Sequence, residues 1–258
     1  MTEKIKPLCP NALTMLALVF GVSALHEAMW EHWERAVGFI LLSGFFDFMD
    51  GKVARILGVS SKFGAELDSL SDFVSFGVAP GFLMYNWIMK MSAQSLNDTL
   101  NGLGTMVADW WWWVVLFFAG CCASRLARFN TMLDEKQPNC WKHFFMGVPA
   151  PAGAGLAMLP LILWLASHQQ ITFFYHPLFV TAFVVFAGVM MASRIPTVSL
   201  KHVHVSKNMR SFVGLCMLGF ICGLVTFLWI SLSLLGLLYL LSIPVAMYAF
   251  LNLKKQST

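Results

Sequence analysis

The stretch "DFMDGKVARILGVSSKFGAELDSLSD", residues 47–72, decides how this chain is read. It lies between two long apolar runs and holds five carboxylates: Asp47, Asp50, Glu66, Asp68 and Asp72. Asp47 and Asp50 are three apart, so they share a face at the end of one helix. Asp68 and Asp72 are four apart and share a face at the start of the next. Residues 57–63, "LGVSSKF", supply the turn between them. Two helices joined by so short a turn run antiparallel, which lets the four aspartates converge. Glu66 lies about 200° around the helix from Asp68 at 100° per residue and points elsewhere.

Working outward, the rest of the chain is too apolar for a soluble domain. Of its 258 residues, 58% are hydrophobic and 12% are charged. Its mean hydropathy is +0.70. Soluble domains are nearer half apolar and a quarter charged. One compact core cannot hide this much apolar surface, so the expectation is an all-α, polytopic membrane helix bundle. Spans of about 20 residues fit at roughly 11–29, 35–56, 69–91, 110–132, 148–167, 174–193, 211–229 and 232–252, about eight transmembrane helices in one integral domain of residues 1–258. The net charge of +4, without a basic tract interleaved with aromatics, argues for no nucleic acid. The six cysteines include no Cys-x-x-Cys pair, so neither a disulfide framework nor a zinc site is expected.

Fifteen of the 17 basic residues fall in the segments before span 1, between spans 2 and 3, 4 and 5, and 6 and 7, and after span 8. Positive residues stay on the cytoplasmic side, so both termini and the acidic hairpin are expected to face the cytoplasm. "DWWWW" at 109–113 fits an aromatic belt on the other side.

Four adjacent carboxylates repel one another and resist desolvation unless cations sit between them. Oxygen-only ligation favours a hard divalent ion such as Mg2+ or Mn2+. Two such ions about 4 Å apart suit phosphoryl chemistry. Gly51, Ala54 and Gly64 let a flat ligand or another backbone come close. Arg55, two turns from Asp47, suggests an anionic partner such as a phosphate. Taken singly, each feature also has a plainer reading: acids cap helices, small residues pack helices, and basic residues anchor span ends.

The pattern Asp47-x-x-Asp50-Gly51-x-x-Ala54-Arg55, eight residues, Gly64, three residues, Asp68, three residues, Asp72 resembles the signature of the CDP-alcohol phosphotransferase family. Eight residues are fixed across 26 positions, and all are filled. The resemblance implies a membrane enzyme that cleaves a CDP-linked substrate, releases CMP and joins the phosphoryl group to an alcohol. It implies that Asp47, Asp50, Asp68 and Asp72 hold two divalent cations, with Asp72 also the catalytic base. It implies that Gly51, Ala54 and Gly64 make room for the nucleotide and that Arg55 contacts its phosphates. "PNALT" at 10–14 resembles the opening of the first helix in many relatives, which would place Asn11 and Thr14 at the nucleotide. A plain helix start explains the same residues equally well.

"SDFVSFGVAP" (71–80), "RLARFNT" (125–131), "GVPAPAGAG" (147–155) and "SRIPTVSLK" (193–201) resemble the membrane-embedded phosphatidylserine synthase branch. That branch implies CDP-diacylglycerol and L-serine as substrates, a six-helix core over about 11–193, an added C-terminal pair over about 211–252, membrane lipid around the chain, a homodimer and the bacterial inner membrane. Serine carries a carboxylate that wants a cation; Arg128 is the first candidate, then Arg125 and Arg194, with Asn130 offering a neutral hydrogen bond. Choline, inositol and glycerol phosphate remain alternative acceptors. A membrane cation transporter is the rival outside this class, disfavoured because transporter sites sit near the bilayer midplane.

Overall fold

A computed structural model describes residues 8–59, 61–96, 103–132, 144–198, 223 and 226–256. Helix α1 is Leu8–Met29 and α2 is Trp33–Leu57. Helix α3 runs through Lys62–Asp72, a π-helical segment Phe73–Val78 and Ala79–Leu96. Then come α4 (Leu103–Met132), strand β1 (Phe144–Met146), α5 (Ala150–Ala166), α6 (Pro177–Ala192), strand β2 (Pro196–Val198) and α7 (Leu228–Gln256). The all-α expectation holds apart from β1 and β2, which pair antiparallel with Phe144 opposite Val198. Most of the seventh expected span, 211–229, lies outside the described residues.

The first three helices pack through small residues. Thr14, Ala17, Gly21, Ala24 and Ala28 form the buried stripe of α1. A Cβ on Gly21 would collide with Ser75 of α3. Ser43 of α2 donates to Ala17 O at 2.8 Å and Ser71 of α3 donates to Thr14 O at 3.2 Å. Close backbones and interhelical hydroxyl bonds are how helices associate where lipid removes the hydrophobic drive. Trp87, Trp111, Phe76, Phe118, Leu83 and Met84 fill the centre with no side-chain surface left to solvent or lipid worth naming.

The outside is equally apolar. Val19, Phe45, Phe48, Trp113, Leu238 and Leu241 are exposed, a surface suited to acyl chains. Among the described residues, three helices are long and apolar enough to cross a membrane: Leu8–Met29, Trp110–Thr131 and Leu228–Leu251. Ala150–Ala166 and Pro177–Ala192 are apolar but shorter. In α2 and α3 acids take the place of a clean apolar run. The architecture is a helical membrane bundle.

Its two ends differ in chemistry. At one end α1 turns into α2 through Glu31, at φ 62. There Glu27 receives His32 at 2.9 Å and Arg35 at 3.3 Å, and Lys90 of α3 meets Glu31 at 2.8 Å. All ion pairs among the described residues belong to this end. The aspartates of α2 and α3 gather at the other.

Candidate active site

The hairpin that carries the aspartates is set by its caps. Gly58 ends α2 in the left-handed conformation at φ 63, where glycine is favoured. Val59 N then reaches back to Ala54 O at 3.1 Å. Ser61 starts α3, its hydroxyl accepting from Gly64 N at 2.9 Å. The helix thus begins at Lys62, two turns before the expected span, so Asp68 sits inside a formed helix.

Asp47, Asp50 and Asp68 each offer a carboxylate oxygen within 4.8 Å of the other two. Asp72, one turn beyond Asp68, faces Asp47. Glu66 is exposed and stands apart, as its angular position demands. No lysine or arginine forms a direct ion pair with these acids among the described residues. Concentrated oxygen donors with no cation at contact distance suit a hard divalent ion. Thr14 of α1 donates its hydroxyl to the buried Asp50 carboxylate. Pro10 O lies 3.1 Å from the same hydroxyl, but a single proton goes to the charged acceptor, which binds it more strongly. This support from α1 orients a ligand in the way that second partners of metal ligands do.

Beside the cluster is a cavity of about 200 Å³ lined by Pro10, Asn11, Thr14, Asp50, Gly51, Ala54, Val59, Ser61, Gly64, Ala65 and Asp68. Five residues read from the sequence as nucleotide contacts therefore line one space: Asn11, Thr14, Gly51, Ala54 and Gly64. A Cβ on Gly64 would sit 3.0 Å from Ser61 Oγ and 3.1 Å from Asn11 Oδ1. One on Gly51 would meet nothing within 4 Å. A side chain at 64 would press on Ser61 and Asn11, whereas glycine at 51 leaves open room. Ser61 and Ala65 also line the cavity, and nothing in their local sequence distinguishes them from turn residues.

Comparison with known proteins covers this hairpin and most of the chain around it. Residues 7–198 match the family model described as CDP-alcohol phosphatidyltransferase. The chain belongs to this family. CDP-alcohol phosphatidyltransferases are transferases, and the aspartate cluster is where such an enzyme would hold metal. The chain is 31% identical over 242 residues to a Mycobacterium leprae protein named CDP-diacylglycerol–serine O-phosphatidyltransferase, covering 93% of this chain and 74% of that one. A Bacillus subtilis protein of the same name is 30% identical, over 78% of this chain and 96% of its own. A Mycobacterium bovis protein so named is 34% identical over 59% of this chain and 48% of its own, about half its length.

The basic residues fall into different settings. Arg55 is exposed, and its Nε donates to Gly51 O at 2.8 Å within its own helix. Arg128 gives Nη1 to Ala192 O at 2.8 Å and to Ser193 O at 3.4 Å, at the end of α6. Asn130 exchanges hydrogen bonds with Ser69 at 3.0–3.1 Å. Arg194 is exposed. Arg125 is drawn inward: its charge faces Asp72 and Asp47, and its Nε is buried without a hydrogen-bond partner.

Proposed function

We propose that the chain transfers a phosphatidyl group from CDP-diacylglycerol to the hydroxyl of L-serine, giving phosphatidylserine and CMP. One observation carries this reading: Asp47, Asp50 and Asp68 converge beside a cavity walled by Thr14, Gly51, Ala54 and Gly64. The names of the relatives favour CDP-diacylglycerol and serine as the two substrates. Two Mg2+ or Mn2+ ions held by Asp47, Asp50, Asp68 and Asp72 would neutralise the pyrophosphate and the departing CMP.

The protein's own part is to bind, orient and move a proton. Asn11, Thr14, Gly51, Ala54 and Gly64 receive the cytidine nucleotide. Arg55 swings from Gly51 O to the phosphates on binding, since its present partner is on the cavity wall. Asp72 accepts the serine hydroxyl proton. The serine oxygen bonds to the phosphorus that carries diacylglycerol, and the bond from that phosphorus to the bridging oxygen of CMP breaks. Arg125 is the best-placed cation for the serine carboxylate, because Arg128 is engaged at α6 and Arg194 is exposed.

The reading includes eight spans, with α7 belonging to the C-terminal pair, one domain over the whole chain, and a homodimer in a bacterial inner membrane. Both termini and the acids face the cytoplasm, where serine and CMP are available. Purified protein given CDP-diacylglycerol and Mg2+ or Mn2+ tests it, with serine, choline, inositol and glycerol phosphate added separately. CMP release that depends on serine is expected. Release with another acceptor but not with serine overturns the proposal.

A further inference from the structure

Helix α1 is long enough to cross a membrane, so the turn at Glu31 reaches the surface opposite the aspartates. At that end lies a second cavity, of about 450 Å³, larger than the one of about 200 Å³ beside the acids. The exposed Glu31 and Gln169 and the half-buried Lys90 line its mouth; they come from the α1–α2 turn, the end of α5 and α3. Trp33 and Trp164, both buried, and the half-buried Tyr175 line it further in. Lys90 Nζ lies 2.8 Å from the Glu31 carboxylate. Glu27 takes up His32 and Arg35 at this end. The cavity wall thus presents one carboxylate and one ammonium, each the other's partner.

Two of these side chains stand where the backbone favours glycine. Glu31, at φ 62, and Gln169, at φ 65, are left-handed just past the ends of α1 and α5. The turns are closed by His32 N to Glu27 O and by Gln169 N to Trp164 O, both at 3.0 Å. The corresponding turn beside the acids uses Gly58, at φ 63. A side chain in that conformation carries a steric cost that glycine avoids, and residues held so cluster at ligand sites. Here both costly side chains line one cavity. Its border is apolar and exposed: Trp30 beside Glu31, and Ile171 and Phe173 on either side of Thr172, which also lines it. A polar hollow edged by exposed aromatic and aliphatic side chains matches the level at which headgroups meet acyl chains.

We propose that this cavity binds the zwitterionic headgroup of a membrane phospholipid in the leaflet opposite the aspartates. The headgroup ammonium takes the place of Lys90 at Glu31, in a hollow whose aromatic walls also suit a cation. Lys90 turns to the phosphate. A headgroup with both charges leaves neither Glu31 nor Lys90 unpaired, whereas an anionic one would bring its phosphate to Glu31 with no ammonium to offset it. The acyl chains lie outside, along Trp30, Ile171 and Phe173. A soluble zwitterion would satisfy the same charges but leave that apolar border unused, which favours a lipid as the occupant. The site stands apart from the transfer reaction proposed above and shares no residue with it.

The experiment uses the full chain in detergent with EDTA, which keeps the aspartates free of metal. The thermal midpoint is followed as dihexanoyl phosphatidylethanolamine, dihexanoyl phosphatidylglycerol or chain-free phosphoethanolamine is titrated. A saturable rise is expected with phosphatidylethanolamine, and none with the other two at the same concentrations. Glu31→Gln and Lys90→Gln are each expected to raise the half-saturating concentration roughly tenfold or more, as for loss of a bond to a charged group. Gln169→Gly separates binding from folding. Without lipid its midpoint is expected to rise, because glycine relieves the left-handed position, while its half-saturating concentration rises roughly threefold or more. Equal responses to phosphatidylethanolamine and phosphatidylglycerol, a response to phosphoethanolamine alone, or variants that all keep the wild-type response overturn the proposal. None of these results touches the serine-transfer reading.

Discussion

Thr14 and Asp50, 36 residues apart, are joined by a hydrogen bond from the threonine hydroxyl to the carboxylate. It ties the first helix to the acid cluster and fixes one of its oxygens. Loss of such a supporting partner typically lowers metal affinity about 10–100-fold. Thr14→Val is expected to weaken Mn2+ binding by that factor, read by the electron paramagnetic resonance signal of free Mn2+, and Thr14→Ser is expected to restore it. Unchanged binding in Thr14→Val would show that the bond serves only helix packing.

Asp72 tests the assignment of the base. It sits one turn beyond Asp68 and faces Asp47, so its carboxylate borders the cluster. Replacing a general base typically costs about 10²–10⁴ in rate. Asp72→Asn is expected to lose at least about 10² in the rate of CMP release, with an unchanged elution profile in detergent. A variant within tenfold of wild type would remove Asp72 from proton transfer.

The cavity makes a steric prediction. Gly64 is hemmed by Ser61 and Asn11 at 3.0 and 3.1 Å from a hypothetical Cβ, whereas Gly51 has nothing within 4 Å. Gly64→Val forces its branched side chain into the space that the nucleotide needs. Binding of CMP, followed by isothermal calorimetry in the presence of Mn2+, is expected to be lost in Gly64→Val and only weakened in Gly51→Ala. CMP binding unchanged in both variants would mean that the cavity is not the nucleotide site.

The acids were legible because helix geometry is local. Spacings of three and four put Asp47 with Asp50 and Asp68 with Asp72, and a short turn brought the pairs together. The apolar composition likewise fixed a membrane bundle, although the described helices include only three that meet a strict span criterion. Partnerships across the sequence were not legible. Nothing near Thr14 announces Asp50, and nothing near Asn130 announces Ser69. The ribbon of β1 and β2 was equally hidden. Three-residue strands carry too little periodicity to read, and this one depends on Gly147 at φ 76, where a Cβ would lie 2.7 Å from Ser193 O.

Arg128 illustrates the same limit and supplies its own test. Sequence placed it first among the candidates for the serine carboxylate, inside a block that resembles the phosphatidylserine synthase branch. In the fold its Nη1 donates to Ala192 O at 2.8 Å and to Ser193 O at 3.4 Å. The last carbonyls of a helix lack partners within it, and a cation there also complements the helix dipole. Arg128 therefore ties the end of α6 to α4, next to the ribbon. Arg128→Ala is expected to cost about 1–3 kcal/mol of stability, seen as a lower thermal midpoint in detergent. The KM for serine, measured below that midpoint, is expected to stay within twofold of wild type. A serine KM raised tenfold with an unchanged midpoint would return Arg128 to the acceptor site and displace Arg125 from it.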